Sequence, residues 1–144
     1  MGRIGSTSLL DAKKMDTLLI NQLELQVTIG VHPHERRATQ PVYITLELGI
    51  DLCVAKQSDQ LSDTLDYDDL IEKISSLTSS THFNLIEHLA DKISRLILDK
   101  YPMVQTCTVL LEKPHAIPTA KSSGIRLTTA RCRSDTLSRD LQKN

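Results

Sequence analysis

Four side chains in this sequence have types and settings suited to proton transfer or ligand recognition: Glu35, Tyr67, Glu87 and Lys113. Glu35 closes the loop Gly30-Val31-His32-Pro33-His34-Glu35. Alone it is either a solvated loop acid beside Arg36 and Arg37 or an acceptor for a ligand's donors. Tyr67 stands at an expected helix start, Leu65-Asp66-Tyr67-Asp68-Asp69, as a hydrogen-bond handle or a proton carrier. Glu87 lies three positions after Asn84, the spacing of an Asn-headed capping box, which would occupy its carboxylate structurally. Lys113 precedes Pro114 at the exit of an expected strand, either as a surface charge or as a lysine held for proton transfer. His32-Pro33-His34 has the spacing of two metal ligands, but Pro33 places the pair in a turn and no ligand follows at a fixed spacing, so no metal is expected.

The remaining signals narrow the function class. No phosphate loop, Rossmann fingerprint or nucleophile elbow occurs in the 144 residues. A formal charge of −1 provides no field for nucleic acid or an anionic membrane, and one Phe with no Trp gives little to stack bases on. Cys53, Cys107 and Cys132 are odd in number and far apart, which reads as a reducing, cytoplasmic setting rather than a disulfide framework or zinc site. No apolar run approaches the length of a membrane span, and no signal-peptide core opens the chain.

The elements that must position these residues are well patterned. Residues 1–15 lack sustained periodicity and are read as a flexible extension, residues 132–144 as a polar tail, and residues 16–131 as one domain. Leu23, Leu25, Val27 and Ile29 alternate with polar residues, ending a strand over residues 17–29. A loop follows over residues 30–40, and alternation resumes over residues 42–54 from Val42 to Val54. The period then becomes helical. Asp66 can cap a helix bearing Leu70, Ile74 and Leu77, and Asn84 a second bearing Ile86, Leu89, Ile93, Leu96 and Ile97, stopped at Pro102. Residues 104–111 and 124–130 again read as strands. The order ββααββ predicts an α+β domain, an antiparallel sheet with two helices on one face. Its free strand edges must be managed, and edge-to-edge joining with further copies is one way.

Four stretches in this order resemble the dihydroneopterin aldolase family: Ile29-Gly30-Val31 with Glu35, Leu65-Asp66-Tyr67-Asp68-Asp69-Leu70, Phe83-Asn84-Leu85-Ile86-Glu87-His88-Leu89-Ala90, and Glu112-Lys113-Pro114-His115-Ala116. The resemblance spans residues 16–131. It implies the tunnelling fold (T-fold), in which four subunits close their sheets into one β-barrel with helices outside. Two such rings usually stack as a homo-octamer, with active sites between neighbouring subunits.

By that resemblance the substrate is a 7,8-dihydropterin, cleaved in a retro-aldol reaction to 6-hydroxymethyl-7,8-dihydropterin and glycolaldehyde, a lyase step of folate biosynthesis with accompanying 2′-epimerisation. Glu87 holds the pterin, with Ile86 and Val31 beside it, and Lys113, Tyr67 and Glu35 handle protons, diol and water. The dihydropterin's own C=N bond is the electron sink, so neither a covalent lysine nor a cofactor is required. A carboxylate beside Lys113 favours the ammonium form, in tension with a basic role. Other readings are a dihydroneopterin triphosphate epimerase, with Arg36, Arg37 or Lys121 for phosphates, a zinc-dependent pterin synthase-like enzyme using His32 and His34, and a ring-forming binding protein without chemistry.

Overall fold

The computed structural model describes residues 15–131, so the extension, save Met15, and the tail expected at the two ends lie outside the described residues. One antiparallel sheet carries strands β1 (Asp16–Val27), β2 (Gln40–Ile50), β3 (Val104–Lys113) and β4 (Ser123–Ala130), in that spatial order. Between β2 and β3 come the short helix α2 (Cys53–Ser58), a 3-10 turn (Leu61–Asp63), α3 (Tyr67–Ser79) and α4 (Ile86–Lys100). A four-residue helix, α1 (Pro33–Arg36), interrupts the loop after β1. The expected ββααββ frame is therefore present, with two small helices added.

Register follows hydrophobicity. Leu18, Leu48 and Cys107 form one cross-strand row, Ile20, Leu46, Val109 and Leu127 the next, and Leu23, Ile44, Leu111 and Ile125 a third. These rows meet Leu70 and Ile74 of α3 and Leu89, Ile93 and Ile97 of α4 in one core, the deepest of them fully buried. Each fully buried Leu or Ile contributes about 1.5–3 kcal/mol through apolar surface withdrawn from water. The opposite sheet face carries Glu24, Tyr43, Thr45, Glu47, Thr108 and Thr128, with Tyr43 Oη donating to Glu24 Oε1 at 2.9 Å.

Alternation in β1 survives a change of phase. Ile20 pairs with Leu46 and Leu23 with Ile44, so Asn21 and Gln22 oppose Thr45 alone in a β-bulge. Gln22 takes φ 52°, and its N–H donates to Thr45 Oγ1 at 3.0 Å. The bulge returns Leu23, Leu25 and Val27 to the face already used by Leu18 and Ile20.

Two sequence expectations need correction. The second strand ends at Ile50, not at residue 54, because Asp51 Oδ1 accepts from Cys53 N–H at 3.0 Å and turns the chain into α2, leaving Val54 exposed. Nor does Asn84 cap the second long helix. Leu85 occupies the N-cap position without a side-chain cap, and Asn84 Oδ1 accepts instead from the Arg36 guanidinium at 3.3 Å. The Asp66 expectation holds, its Oδ1 accepting from Asp68 N–H at 3.0 Å and Asp69 N–H at 3.3 Å.

Asp66→Ala leaves two first-turn N–H groups of α3 without their acceptor. It should destabilise the fold by about 1 kcal/mol. Chemical denaturation at fixed protein concentration measures this, and an unchanged midpoint would show that the cap carries no stability.

Candidate functional site

The loop after β1 is pinned to the segment that leads into α4. Ile29 forms a parallel bridge with Phe83, Phe83 N–H donates to Thr28 O at 3.0 Å, and Gly30 N–H donates to Phe83 O at 2.9 Å. His82 Nε2 lies 3.0 Å from Gly30 O, and Arg36 reaches Asn84. Residues 29–36 and 82–84 are thereby one rigid shoulder, and the first turn of α4 stands beside the loop rather than apart from it.

A cleft of about 680 Å³ opens between this shoulder and the end of β3. Its walls include Val31, Glu35, Gln40, Ile86, Glu87 and Lys113. At its base Lys113 Nζ donates to Glu35 Oε2 at 2.7 Å, with the two side chains only 13% and 11% exposed. Gln40 Nε2 donates to the same oxygen at 3.1 Å and to Ile29 O at 2.8 Å. His32 N–H, at the start of α1, donates to Oε1 at 3.4 Å. The Lys113 hydrogen bond holds the Glu35 carboxyl at about 2, well below its ordinary 4.5; burial opposes this, and the Gln40 and His32 donors add to it.

Gly30 makes this placement feasible. Its φ is +135°, and a Cβ there would fall 2.1 Å from the Glu35 carboxyl carbon. Any larger residue would meet both backbone strain and the carboxylate itself.

The structure thus joins five of the six sequence-selected site residues around one cleft: Glu35, Lys113, Glu87, Ile86 and Val31. Glu87 is exposed in the first turn of α4, and the capping box that would have engaged it is absent, so its carboxylate is open to the cleft. Tyr67 is the exception. It begins α3, is 55% exposed, and is not among the cleft's lining residues. His32 and His34 stack ring on ring with centroids 5.7 Å apart, and among the described residues no group of three or more His, Cys, Asp or Glu is arranged to hold a metal ion. Gln40 carried no signal in the sequence: it is one polar residue before Pro41 at a strand start, and its role comes from the hydrogen bonds that the fold brings to it.

Chemically, the cleft offers a carboxylate–ammonium pair at its base, a second carboxylate at a helix start, and apolar walls from Val31, Ile86 and the half-exposed Leu85. The pair can exchange protons with a substrate hydroxyl or a water, while the second carboxylate can accept two adjacent donors.

Comparison with known proteins gives one consistent likeness. The family profile described as FolB, dihydroneopterin aldolase, matches residues 18–128. The dihydroneopterin aldolase of Methylorubrum extorquens is 34% identical over 122 residues, spanning 85% of this chain and 94% of that protein. The structure of FolB from Vibrio cholerae gives a TM-score of 0.78 at 33% identity, covering 81% of this chain and 98% of that one. Escherichia coli dihydroneopterin aldolase in complex with neopterin gives 0.77 at 29% identity, covering 81% and 100%.

The depressed Glu35 value carries a stability consequence. A carboxyl held at about 2 when folded and near 4.5 when unfolded stabilises the fold above about 4.5, and that contribution is lost as pH falls from there toward 2. Denaturation at a series of pH values should therefore show wild type losing stability over this window relative to Glu35→Gln, the gap between them narrowing toward acid. Parallel curves would mean that the ion pair does not govern the titration.

Proposed function

Because this chain belongs to the dihydroneopterin aldolase family, we propose that its cleft binds a 7,8-dihydropterin and that the Glu35–Lys113 pair drives the retro-aldol step. The enzyme is a lyase of folate synthesis. The observation that carries the reading is the 2.7 Å Glu35–Lys113 pair facing the same cleft as Glu87. A pterin's amino group and ring N–H lie side by side, and the uncapped Glu87 carboxylate can accept both, while Val31 and Ile86 flank the ring. The N–H groups of the first turn of α4, which no side chain caps, suit the pterin's carbonyl oxygen.

Cleavage begins from the neutral amine form of Lys113, one ammonium proton having first passed to solvent. The hydroxyl on the second side-chain carbon then loses its proton, through a water, to that amine. The bond between the first and second carbons then breaks, glycolaldehyde leaves, and the electron pair moves into the C=N bond of the ring. Protonation of the first carbon yields 6-hydroxymethyl-7,8-dihydropterin. Glu35 holds the diol or the water through Oε1 while Oε2 keeps Lys113 in place. Re-addition of glycolaldehyde from the other face gives the 2′-epimer by the same intermediate.

The last proton is assigned to Tyr67, which one subunit does not bring to its own cleft. Its exposure at the start of α3, with β1 and β4 the outermost strands among the described residues, supports assembly into rings where a neighbour's Tyr67 completes each site. A reducing cytosol suits Cys53 and Cys107, both free thiols.

Incubation with 7,8-dihydroneopterin and chromatographic product separation tests the assignments together. Lys113→Ala should slow cleavage and epimerisation alike. Tyr67→Phe should still release glycolaldehyde while hydroxymethyl-dihydropterin formation falls by roughly 10²–10⁴. Glu87→Gln should weaken binding of a pterin analogue by about 2–3 kcal/mol in calorimetry. Normal product from Tyr67→Phe would remove it from the mechanism, and unchanged affinity in Glu87→Gln would reject the anchor.

Assembly has its own test. Light scattering should show a closed oligomer at micromolar concentration. Co-expressed Tyr67→Phe and Lys113→Ala subunits should regain up to about a quarter of wild-type product formation, since random mixing restores that share of two-chain sites. A monomer, or no regain, would place the whole site in one chain.

A further inference from the structure

From the hydrogen bonds around Glu35, we infer that Gln40 is a positioning residue of the reaction, fixing which carboxylate oxygen binds Lys113 and which faces the substrate. The inference rests on the proposed roles of Glu35 and Lys113. The amide nitrogen of Gln40 has two hydrogens and two acceptors: Ile29 O at 2.8 Å and Glu35 Oε2 at 3.1 Å. One acceptor is main chain in a fully buried residue bridged to Phe83, so the other end of the bracket is fixed in space. Gln40 is itself half-buried and held in the first position of β2.

The consequence is an asymmetric carboxylate. Oε2 receives Lys113 and Gln40, while Oε1 has His32 N–H at the long distance of 3.4 Å. Oε1 therefore retains acceptor capacity toward the cleft, where a substrate hydroxyl or its water can use it. Lys113 alone does not select this state. An ammonium is a compact charge with three rotatable donors, and it pairs equally well with either oxygen or with both. The carboxylate would then be free to turn about its terminal bond, whose torsional preference is broad. Gln40, anchored on Ile29 O, removes that freedom. Gly30, lacking a Cβ, leaves the space into which the carboxylate is held.

This role predicts a kinetic signature different from a direct substrate contact. Gln40→Met keeps the length and removes the donor. It should lower kcat by about 10- to 100-fold, the scale of a misplaced reacting group, while the affinity for a pterin analogue changes less than about twofold. In a Glu35→Gln background the same substitution should have almost no further effect on kcat, because its action passes through that carboxylate. Gln40→Glu supplies a second test. Its carboxyl repels Glu35 when ionised but can donate when protonated, so its kcat relative to wild type should rise as pH falls, whereas Gln40→Met should show no such recovery.

Weakened analogue binding with unchanged kcat would make Gln40 a substrate contact and overturn the inference. Equal losses from Gln40→Met in the wild-type and Glu35→Gln backgrounds would show a structural effect and overturn it likewise. If Glu35→Gln alone leaves kcat unchanged, the failure lies in the proposed role of Glu35. If Glu35→Gln impairs kcat and Gln40→Met does not, only the positioning role fails.

Discussion

The ion pair between Glu35 and Lys113 is the constraint around which the cleft is built. Its partners lie 78 positions apart, one on a loop and one at the end of β3, and both are largely withdrawn from solvent. Removing two charges from water costs several kcal/mol per ion, and their attraction offsets this only when geometry and further hydrogen bonds are good. The structure provides these in Gln40 and the His32 N–H. It also removes every obstacle, since the loop turns at a glycine whose missing side chain is the space the carboxylate fills. Relative to a well-packed apolar pair such an ion pair adds little stability, though breaking it by removing one partner is costly, and its larger effect is to specify where the loop must lie relative to β3.

That fixed position extends to the third wall. The loop is bridged to the chain just before α4, so the helix start carrying Glu87 is referred to the same frame as the ion pair. At the other end of the domain, Asp69 of α3 accepts from Lys73 and from Tyr101 Oη, and the Arg131 guanidinium donates to Leu98 O and Tyr101 O at the end of α4. Helix α4 is thus tied at both ends and α3 at its start, and the apolar stripe between them fills the space they enclose.

How much of this was readable in the sequence depended on whether the physics was local. The alternation of Val42 through Ile50 and the stripe of Leu89, Ile93 and Ile97 are repeated signals, and both faces lie where the pattern put them. The Asp66 cap is local, too. The termination of β2 was missed because one Asp51 side chain outweighs a continuing hydrophobic alternation. Asn84 has the right type for a cap, but Arg36, 48 positions away, engages it, and no local pattern contains that competitor. Gln40 was invisible for the same reason, since its acceptors come from two other segments. The grouping of Glu35, Glu87 and Lys113 was anticipated through family likeness and not through any spacing rule. The roles given to those residues rest on that likeness together with the geometry now seen.

The bulge at Asn21 and Gln22 divides β1 into two half-strands of opposite phase, each presenting its apolar residues to the core. Here chain length carries the information that residue identity carries elsewhere. Run as a regular strand with every residue kept, the same sequence would turn Leu18 and Ile20 to the wet face, because their spacing to Leu23 is odd and only the bulge absorbs the extra residue. The same irregularity acts as a stop on sliding. A strand laid along the outer edge of β1 meets two ladders broken at one fixed point, so it can match them in one register and cannot creep by two residues as it can along a uniform edge. A departure from regularity in one chain thereby gives the open side of the sheet a vernier mark, by which any strand joining it is aligned.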